Sequence, residues 1–110
     1  MRVRREPGHV LVTVVGEIDI ATVAQLEKQL SALAVAGEVV LADLTQVSFI
    51  DAAGLRALGQ AAGQAAEYGG RLHVICGRDH ILRLFHLTGL DRRIAVVRTL
   101  TEALRVDQRS

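Results

Sequence analysis

The sequence predicts a single α/β domain built on a mixed β-sheet whose central strands are parallel. Strand-length apolar runs alternate along the chain with segments whose apolar residues have helical spacing. Strands that alternate with helices are joined by crossover connections, which make neighbouring strands parallel. The chain has 110 residues, 50% of them hydrophobic, which is enough for one core. We therefore expect residues 1–110 to form one domain with about five strands and about four helices.

A strand pair is predicted at the N-terminus. His9 to Val15 is a β-branched run bounded by Pro7-Gly8 and Gly16, and this composition is typical of a strand. Residues 3–6 precede the same turn and are expected to form a short antiparallel edge strand. Because an edge strand exposes unpaired backbone groups, a homodimer formed through it is one expectation.

The first helix and the next strand follow directly. Apolar residues recur at i, i+3, i+7 and i+10 over residues 23–33, which gives a helix with one apolar face. Asp19 precedes this segment and is the expected cap of its first turn, and Gly37 is expected to end it. Residues 39–42 form a continuous apolar run, and a buried strand is predicted from Val39 to Leu44.

A second helix is predicted from the apolar spacing over residues 55–65, and Gly69-Gly70 is expected to close it. Asp51 lies just before it and can accept backbone N–H bonds from its first turn. Gly59 and Gly63 have small-xxx-small spacing, which in a soluble helix indicates close approach to a neighbouring backbone.

The remaining chain repeats the alternation of strand and helix. Residues 72–76 are expected to form a strand, followed by a short helix that Asp79 would cap and Gly89 would end. Residues 94–97 suggest a last short strand. Residues 99–102 have capping-box spacing ahead of a terminal helix.

Composition argues against several classes of function. The formal net charge is +1, from 13 basic and 12 acidic residues, and aromatic residues make up only 3%, so nucleic-acid binding is not expected. No apolar run approaches the length of a membrane span, and no signal peptide is visible. The lone Cys76 cannot form an internal disulfide and is expected to be inert within an apolar strand. These features predict a cytoplasmic protein.

Enzymatic interpretations find little support in the residue pattern. The four histidines have no i, i+4 pair and no companion cysteines, so we expect surface or half-buried histidines and no metal site. Asp43 and Asp51 invite comparison with a phosphoaccepting receiver domain, which needs an acidic pair near the first strand to hold a divalent ion. Only Asp19 follows that strand nearby. We therefore predict no enzyme and no cofactor, and a reactive Asp43 or Asp51 stays the enzymatic alternative.

The segment Asp51-Ala52-Ala53-Gly54 is the most informative part of the chain. Capping accounts for Asp51 by itself, whereas two exposed alanines would add little to stability. An acid followed by small residues at a strand-to-helix junction leaves the helix start accessible to a partner. The segment therefore predicts a docking surface.

Three segments match one known family in order. Residues 16–19 resemble its Gly-Glu-Leu-Asp, residues 43–51 resemble its Asp-Leu-Ser-x-Val-x-Phe-Met-Asp, and residues 84–90 resemble its late helix and turn. The chain is thus similar, from about Val10 to Leu104, to the STAS domain family, and specifically to bacterial anti-sigma factor antagonists. The resemblance implies an STAS-like fold and a binding function in transcription regulation.

An antagonist of this kind binds an anti-sigma factor, often a serine kinase with a histidine-kinase-like ATPase fold, and so frees a sigma factor. The resemblance places the docking residues at Asp19, Asp51, Ala52, Ala53, Gly54 and Arg56. The alternative that it allows is a scaffold subunit of a stressosome-like shell or of a lipid-transport ATPase.

In the family, the kinase phosphorylates a serine immediately after the aspartate that matches Asp51. Phosphate adds about −1.5 to −2 charges at pH 7, and repulsion then opposes docking. This chain has Ala52 at that position and Ala53 next, and neither can accept phosphate. Thr45 and Ser48 carry the nearby hydroxyls and are weaker candidates. The resemblance therefore implies an antagonist that has lost its usual phosphorylation switch.

Overall fold

The computed structural model of the protein describes residues 1–108. Its strands are β1 (Arg2–Glu6), β2 (His9–Ile18), β3 (Val39–Ile50), β4 (Arg71–Ile75) and β5 (Ala95–Val97). Its helices are α1 (Val23–Val35), α2 (Ala52–Glu67), α3 (Asp79–Leu87) and α4 (Leu100–Gln108), and a short 3-10 helix, Leu90–Arg92, follows α3. The predicted order of strands and helices is confirmed.

The strands form one mixed sheet in the order β1-β2-β3-β4-β5. β1 pairs antiparallel with β2 through the turn at Pro7-Gly8, where Gly8 has a φ of 86°. Every other neighbouring pair is parallel. Because β2, β3 and β4 are parallel, their carboxyl ends lie at the same edge of the sheet, and the chain segments that follow them meet there.

β3 is longer than the sequence predicted, since it continues past Leu44 to Ile50. Its pairing with β2 shifts register twice, and each shift leaves an extra residue on β3, first beside Thr45 and then at Ser48. Such bulges add a residue without ending the strand pairing. The polar residues that interrupt the apolar run therefore mark bulges, and the strand carries on to the start of α2.

Most of the core lies on the face of the sheet covered by α1, α2 and α3. Phe85 of α3, Leu58 of α2 and Leu30 of α1 are essentially inaccessible to solvent. The opposite face has a smaller cluster in which Ala103 of α4 packs with Leu41 and Ile75. Helix α2 is thus held by a large apolar interface, and α4 by a small one.

Two predicted helix caps are wrong. The N-cap of α1 is Thr22, while the carboxylate of Asp19 accepts bonds from the backbone N–H groups of Ala21 and Thr22, at 3.0 and 3.2 Å, within the preceding loop. Asp79 is itself the first residue of α3, and its carboxylate lies 3.3 Å from the Arg98 guanidinium. The carboxylate of Asp19 thus orders the loop before α1, and that of Asp79 pairs with an arginine distant in sequence.

The terminal helix begins as predicted. The backbone N–H of Glu102 donates to the Thr99 hydroxyl at 3.1 Å, and that hydroxyl donates to the Glu102 carboxylate at 3.3 Å. Thr99 therefore caps the first turn of α4.

Helix α4 is joined to the sheet by a polar cluster that contradicts part of the histidine prediction. His73 is buried in β4, and its Nε2 lies 3.2 Å from the Asp107 carboxylate, which also accepts a 2.7 Å bond from Arg71. The bond from Arg71 holds the pKa of Asp107 below its usual value, with a smaller contribution from His73. His73 is neither on the surface nor half-buried, because β4 is central and α4 covers it.

Cys76 follows β4 and is fully buried. Burial raises the pKa of its thiol and thus disfavours the reactive thiolate, which supports the prediction of an inert side chain. Within residues 1–108, no helix combines the length and apolar character needed to cross a membrane.

Candidate docking site

The start of α2 is fixed to the end of the sheet by Asp51. The Asp51 carboxylate accepts a 3.1 Å bond from the backbone N–H of Gly54, as predicted for a helix cap. Its own backbone N–H donates to the Ile18 carbonyl at 3.1 Å, which ties the helix start to the end of β2. The position of this helix end is therefore set by two strands as well as by its cap.

Gly54 lies beneath the surface and not on it. A Cβ atom at this position would lie 2.7 Å from both Ile18 Cγ2 and Ile50 Cγ1. No real side chain tolerates such contacts without movement of its neighbours, so glycine permits the helix to approach the sheet closely. Gly54 was predicted to be a docking residue, but it is buried and serves the packing of α2 on the sheet.

The outer side of this helix end is small and accessible. Ala52 is exposed, Ala53 is half-buried and Arg56 is exposed one turn further along. The expectation of two exposed alanines is therefore only half right, because Ala53 turns toward the protein. Ala52 is the residue at which a change of size or charge would alter the surface directly.

The loop after β2 lies beside this helix end. Asp19 is half-buried and its carboxylate accepts bonds within its own loop, where the Thr22 hydroxyl also lies 3.2 Å from it. Its carboxylate therefore orders the loop. Asp19 and Asp51 follow Ile18 and Ile50, which are paired in β2 and β3, so the structure places both acids at one end of the sheet.

Two exposed apolar residues at this edge were missed by the sequence analysis. Ile20, in the loop with Asp19, is 83% exposed, and Phe49, near the end of β3, is 47% exposed. Phe49 carries a signal in the sequence, since it alternates with the buried Ile50. Ile20 carries none, because an apolar residue in a loop has no periodicity to reveal it. Both would add apolar area to a docking surface.

The two hydroxyl side chains nearby both lie on β3. Thr45 is exposed at a bulge of β3, and its hydroxyl donates to the Asp43 carboxylate at 2.6 Å. Ser48 is exposed, its hydroxyl contacts the Gly16 carbonyl at 3.4 Å, and its own carbonyl lies 3.0 Å from His80 Nε2. Neither hydroxyl is at the start of α2.

A cleft of about 340 Å³ adjoins Ala52. It runs between α2 and the segment that joins α3 to β5. The residues that line it are Ala52, Leu55, Arg56, Gly59, Gln60, Thr88, Leu90 and Arg93. Two of the predicted docking residues, Ala52 and Arg56, thus line a concave surface that the sequence did not predict.

Comparison with known proteins places the chain in a family. Residues 1–103 match the family model of the STAS domain. The chain belongs to the STAS domain family. A relative named anti-sigma-B factor antagonist, from Listeria monocytogenes, is 32% identical over 93 residues, which cover 84% of this chain and 82% of the relative.

Solved structures of anti-sigma factor antagonists resemble this fold. The crystal structure of an anti-sigma factor antagonist from Mycobacterium paratuberculosis has a TM-score of 0.87 and 30% identity, with 96% of this chain and 90% of that chain covered. The anti-sigma factor antagonist SpoIIAA in its unphosphorylated form has a TM-score of 0.74, and 99% of this chain and 97% of that chain are covered. Its identity is 15%, so this likeness supports the fold alone. The predicted family and STAS-like fold are confirmed.

Proposed function

We propose that this STAS protein is an anti-sigma factor antagonist that binds its partner through the start of α2. The partner would be an anti-sigma factor of the serine kinase type with an ATPase fold, bound in the cytoplasm, and the protein itself would act without catalysis. Support comes from relatives that carry this name and align over most of both chains. The single observation that carries the assignment of the surface is the exposed, rigidly held Ala52 at that helix end.

The chemistry of the surface suits binding more than catalysis. Asp51 uses its carboxylate to cap α2, and Asp19 uses its own to order the neighbouring loop. Within residues 1–108, no three histidine, cysteine or acidic side chains cluster as metal ligands would. The exposed Ile20 and Phe49 add the apolar contact area that protein interfaces need at their centre.

The role of Ala52 can be tested by placing a charge on it. We expect Ala52→Glu to weaken binding to a purified anti-sigma kinase from the same organism by at least about tenfold, because a desolvated acid beside Asp51 opposes docking. The matched control is Ala66→Glu, which adds the same charge at an exposed position near the other end of α2. Titration calorimetry compares the two. Equal affinity of both variants and the wild type would exclude this helix end as the docking surface.

The absence of the usual phosphorylation site has its own test. When wild-type protein and Ala52→Ser are incubated with the kinase partner and ATP, intact mass should show one added phosphate on the variant only. Phosphorylation of the wild-type protein would show that Thr45, Ser48 or another hydroxyl accepts the phosphate, and peptide mapping would identify which one.

The scaffold alternative predicts different partners. An antagonist should co-purify with an anti-sigma protein, whereas a scaffold subunit should co-purify with a transporter ATPase or a multi-subunit particle. Recovery of either of the latter without an anti-sigma protein would overturn the proposed function.

A further inference from the structure

The cleft beside Ala52 is lined by positive charge and by no acidic residue. Among the residues that line it, Arg56 and Arg93 are the only charged ones. Both are exposed, and neither appears among the ion pairs of residues 1–108. The cleft therefore presents two cations that form no ion pair within residues 1–108.

Arg93 is held in place by α2. Its Nη2 donates to the Gly59 carbonyl at 3.3 Å. Cβ atoms at Gly59 and Gly63 would each lie 3.7 Å from its guanidinium nitrogens, so the two glycines leave a flat strip on which the group rests. The small-residue spacing in α2 thus accommodates an arginine side chain and Leu90, and not the neighbouring backbone predicted from the sequence. A guanidinium fixed in this way loses little further entropy when it binds a carboxylate.

The floor between these arginines is apolar. Leu55 and Leu90 line it. A Cβ atom at Gly59 would lie only 3.1 Å from Leu90 Cδ2, so the glycine lets Leu90 pack closely on α2. The volume of about 340 Å³ is at the small end of the range for ligand pockets, about 300–1,000 Å³. A site of this size and lining suits one or two aliphatic side chains flanked by acids.

We propose that the cleft receives a segment of the partner protein in which acidic side chains flank an aliphatic one. The carboxylates pair with Arg56 and Arg93, as guanidinium groups do with carboxylates in bidentate geometry, and the aliphatic side chain covers Leu55 and Leu90. The cleft opens directly beside Ala52, so the segment extends the docking surface of the proposed function, on which this inference rests. The cations attract the partner and also speed its encounter at low salt.

Two measurements test the proposal. In the first, binding of the anti-sigma kinase is compared for wild type, Arg56→Glu/Arg93→Glu and the control Arg83→Glu, an exposed arginine of α3 outside the cleft. We expect the double variant to lose at least about tenfold in affinity and the control to change less than about threefold. Changing the matching partner acids to lysine should restore binding to the double variant. If the wild type binds and the double variant binds equally well, this inference is overturned while the proposed function stands.

The second measurement needs no kinase. It therefore tests the cleft separately from the proposed function, even if no kinase binds. The full chain, labelled with 15N, is titrated with the peptide acetyl-Glu-Leu-Leu-Glu-amide and with its Gln-Leu-Leu-Gln counterpart. We expect amide shifts at Gly59, Gln60 and Thr88 with the acidic peptide only, abolished in the double variant. Equal shifts with both peptides, or none with either, would refute the site.

Other occupants give their own signatures in the same spectra. Equal shifts with acetate or inorganic phosphate would show that a free anion suffices, and the proposed segment would be wrong. Shifts of these amides on simple dilution of the protein would mean that a second copy of the chain fills the cleft, which also overturns the proposal.

Discussion

Helices α2 and α4 are attached to the same sheet by different forces. The start of α2 is fixed by apolar contact of Gly54 with Ile18 and Ile50 and by short-range hydrogen bonds. Helix α4 rests on the small side chain of Ala103 and on the charged contacts of Asp107. The outer surface of α2 can therefore change without disturbing the contacts beneath it, whereas the attachment of α4 depends on charge and hence on pH.

The largest effect should come from filling the space at Gly54. We expect Gly54→Ala to lower the free energy of unfolding by about 1–3 kcal/mol, because its Cβ would overlap branched carbons of two isoleucines. Gly63→Ala is the matched control, with only a 3.7 Å contact to Arg93, and should raise stability by about 0.5–1 kcal/mol. Urea unfolding followed by circular dichroism measures both. Equal changes in the two variants would show that α2 does not depend on close approach to the sheet.

The attachment of α4 should break when its carboxylate is removed. We expect Asp107→Ala to cost about 1–2 kcal/mol, because His73 is buried and loses the acceptor at its Nε2. Glu67→Ala removes an exposed acid from α2 and should change stability by less than about 0.5 kcal/mol. The same unfolding assay compares them. A loss no greater than that of the control would mean that the apolar contacts of Ala103 and Leu104 are enough to hold α4.

The contribution of Asp107 should also depend on pH. Because Arg71 lowers the pKa of Asp107 in the folded state, folding favours the ionised carboxylate. The stabilisation is fully present above the ordinary carboxyl pKa and is lost as the pH falls through the lower folded value. The difference in unfolding free energy between wild type and Asp107→Ala should therefore shrink on acidification. A difference that grows in acid would contradict this sign.

Removing the N-terminal cap should destabilise α2 and α4 by similar amounts. Asp51→Ala in α2 and Thr99→Ala in α4 each remove the acceptor of one backbone N–H and should each cost about 1 kcal/mol. Asp51→Asn should keep most of the stability, since an amide oxygen also accepts the bond. A full loss in Asp51→Asn would show that charge, and not the hydrogen bond, stabilises the start of α2.

The smallest effect is expected at Ala52. Ala52→Glu should change the unfolding free energy by less than about 0.5 kcal/mol, because the residue is exposed and an acid in the first turn suits the helix dipole. A melt of this variant also serves as the folding control for its binding experiment. A large destabilisation would mean that this surface is part of the packing of α2.

Much of this architecture is visible in the sequence because local patterns decide it. The alternation of strand-length and helical patterns gives the order of elements. Asp51 can be recognised as the cap of α2 because an acid stands directly before the helical segment, within reach of the Gly54 N–H. The sequence was misleading where an acid has more than one possible donor. Asp19 and Asp79 were both expected to be caps, yet Asp19 accepts bonds within its own loop and Asp79 pairs with Arg98, 19 residues away.

The family, the mixed sheet and the position of Ala52 at a helix start can all be read from the sequence, because periodicity and capping depend on neighbours in the chain. Which of these residues reach the surface depends on how the strands and helices pack. Packing placed Gly54 inside and turned Ala53 partly inward, since their surroundings come from β2 and β3. It also laid Arg93 on α2 across a span of 34 residues. No local pattern records such a contact, because it depends on how distant elements pack.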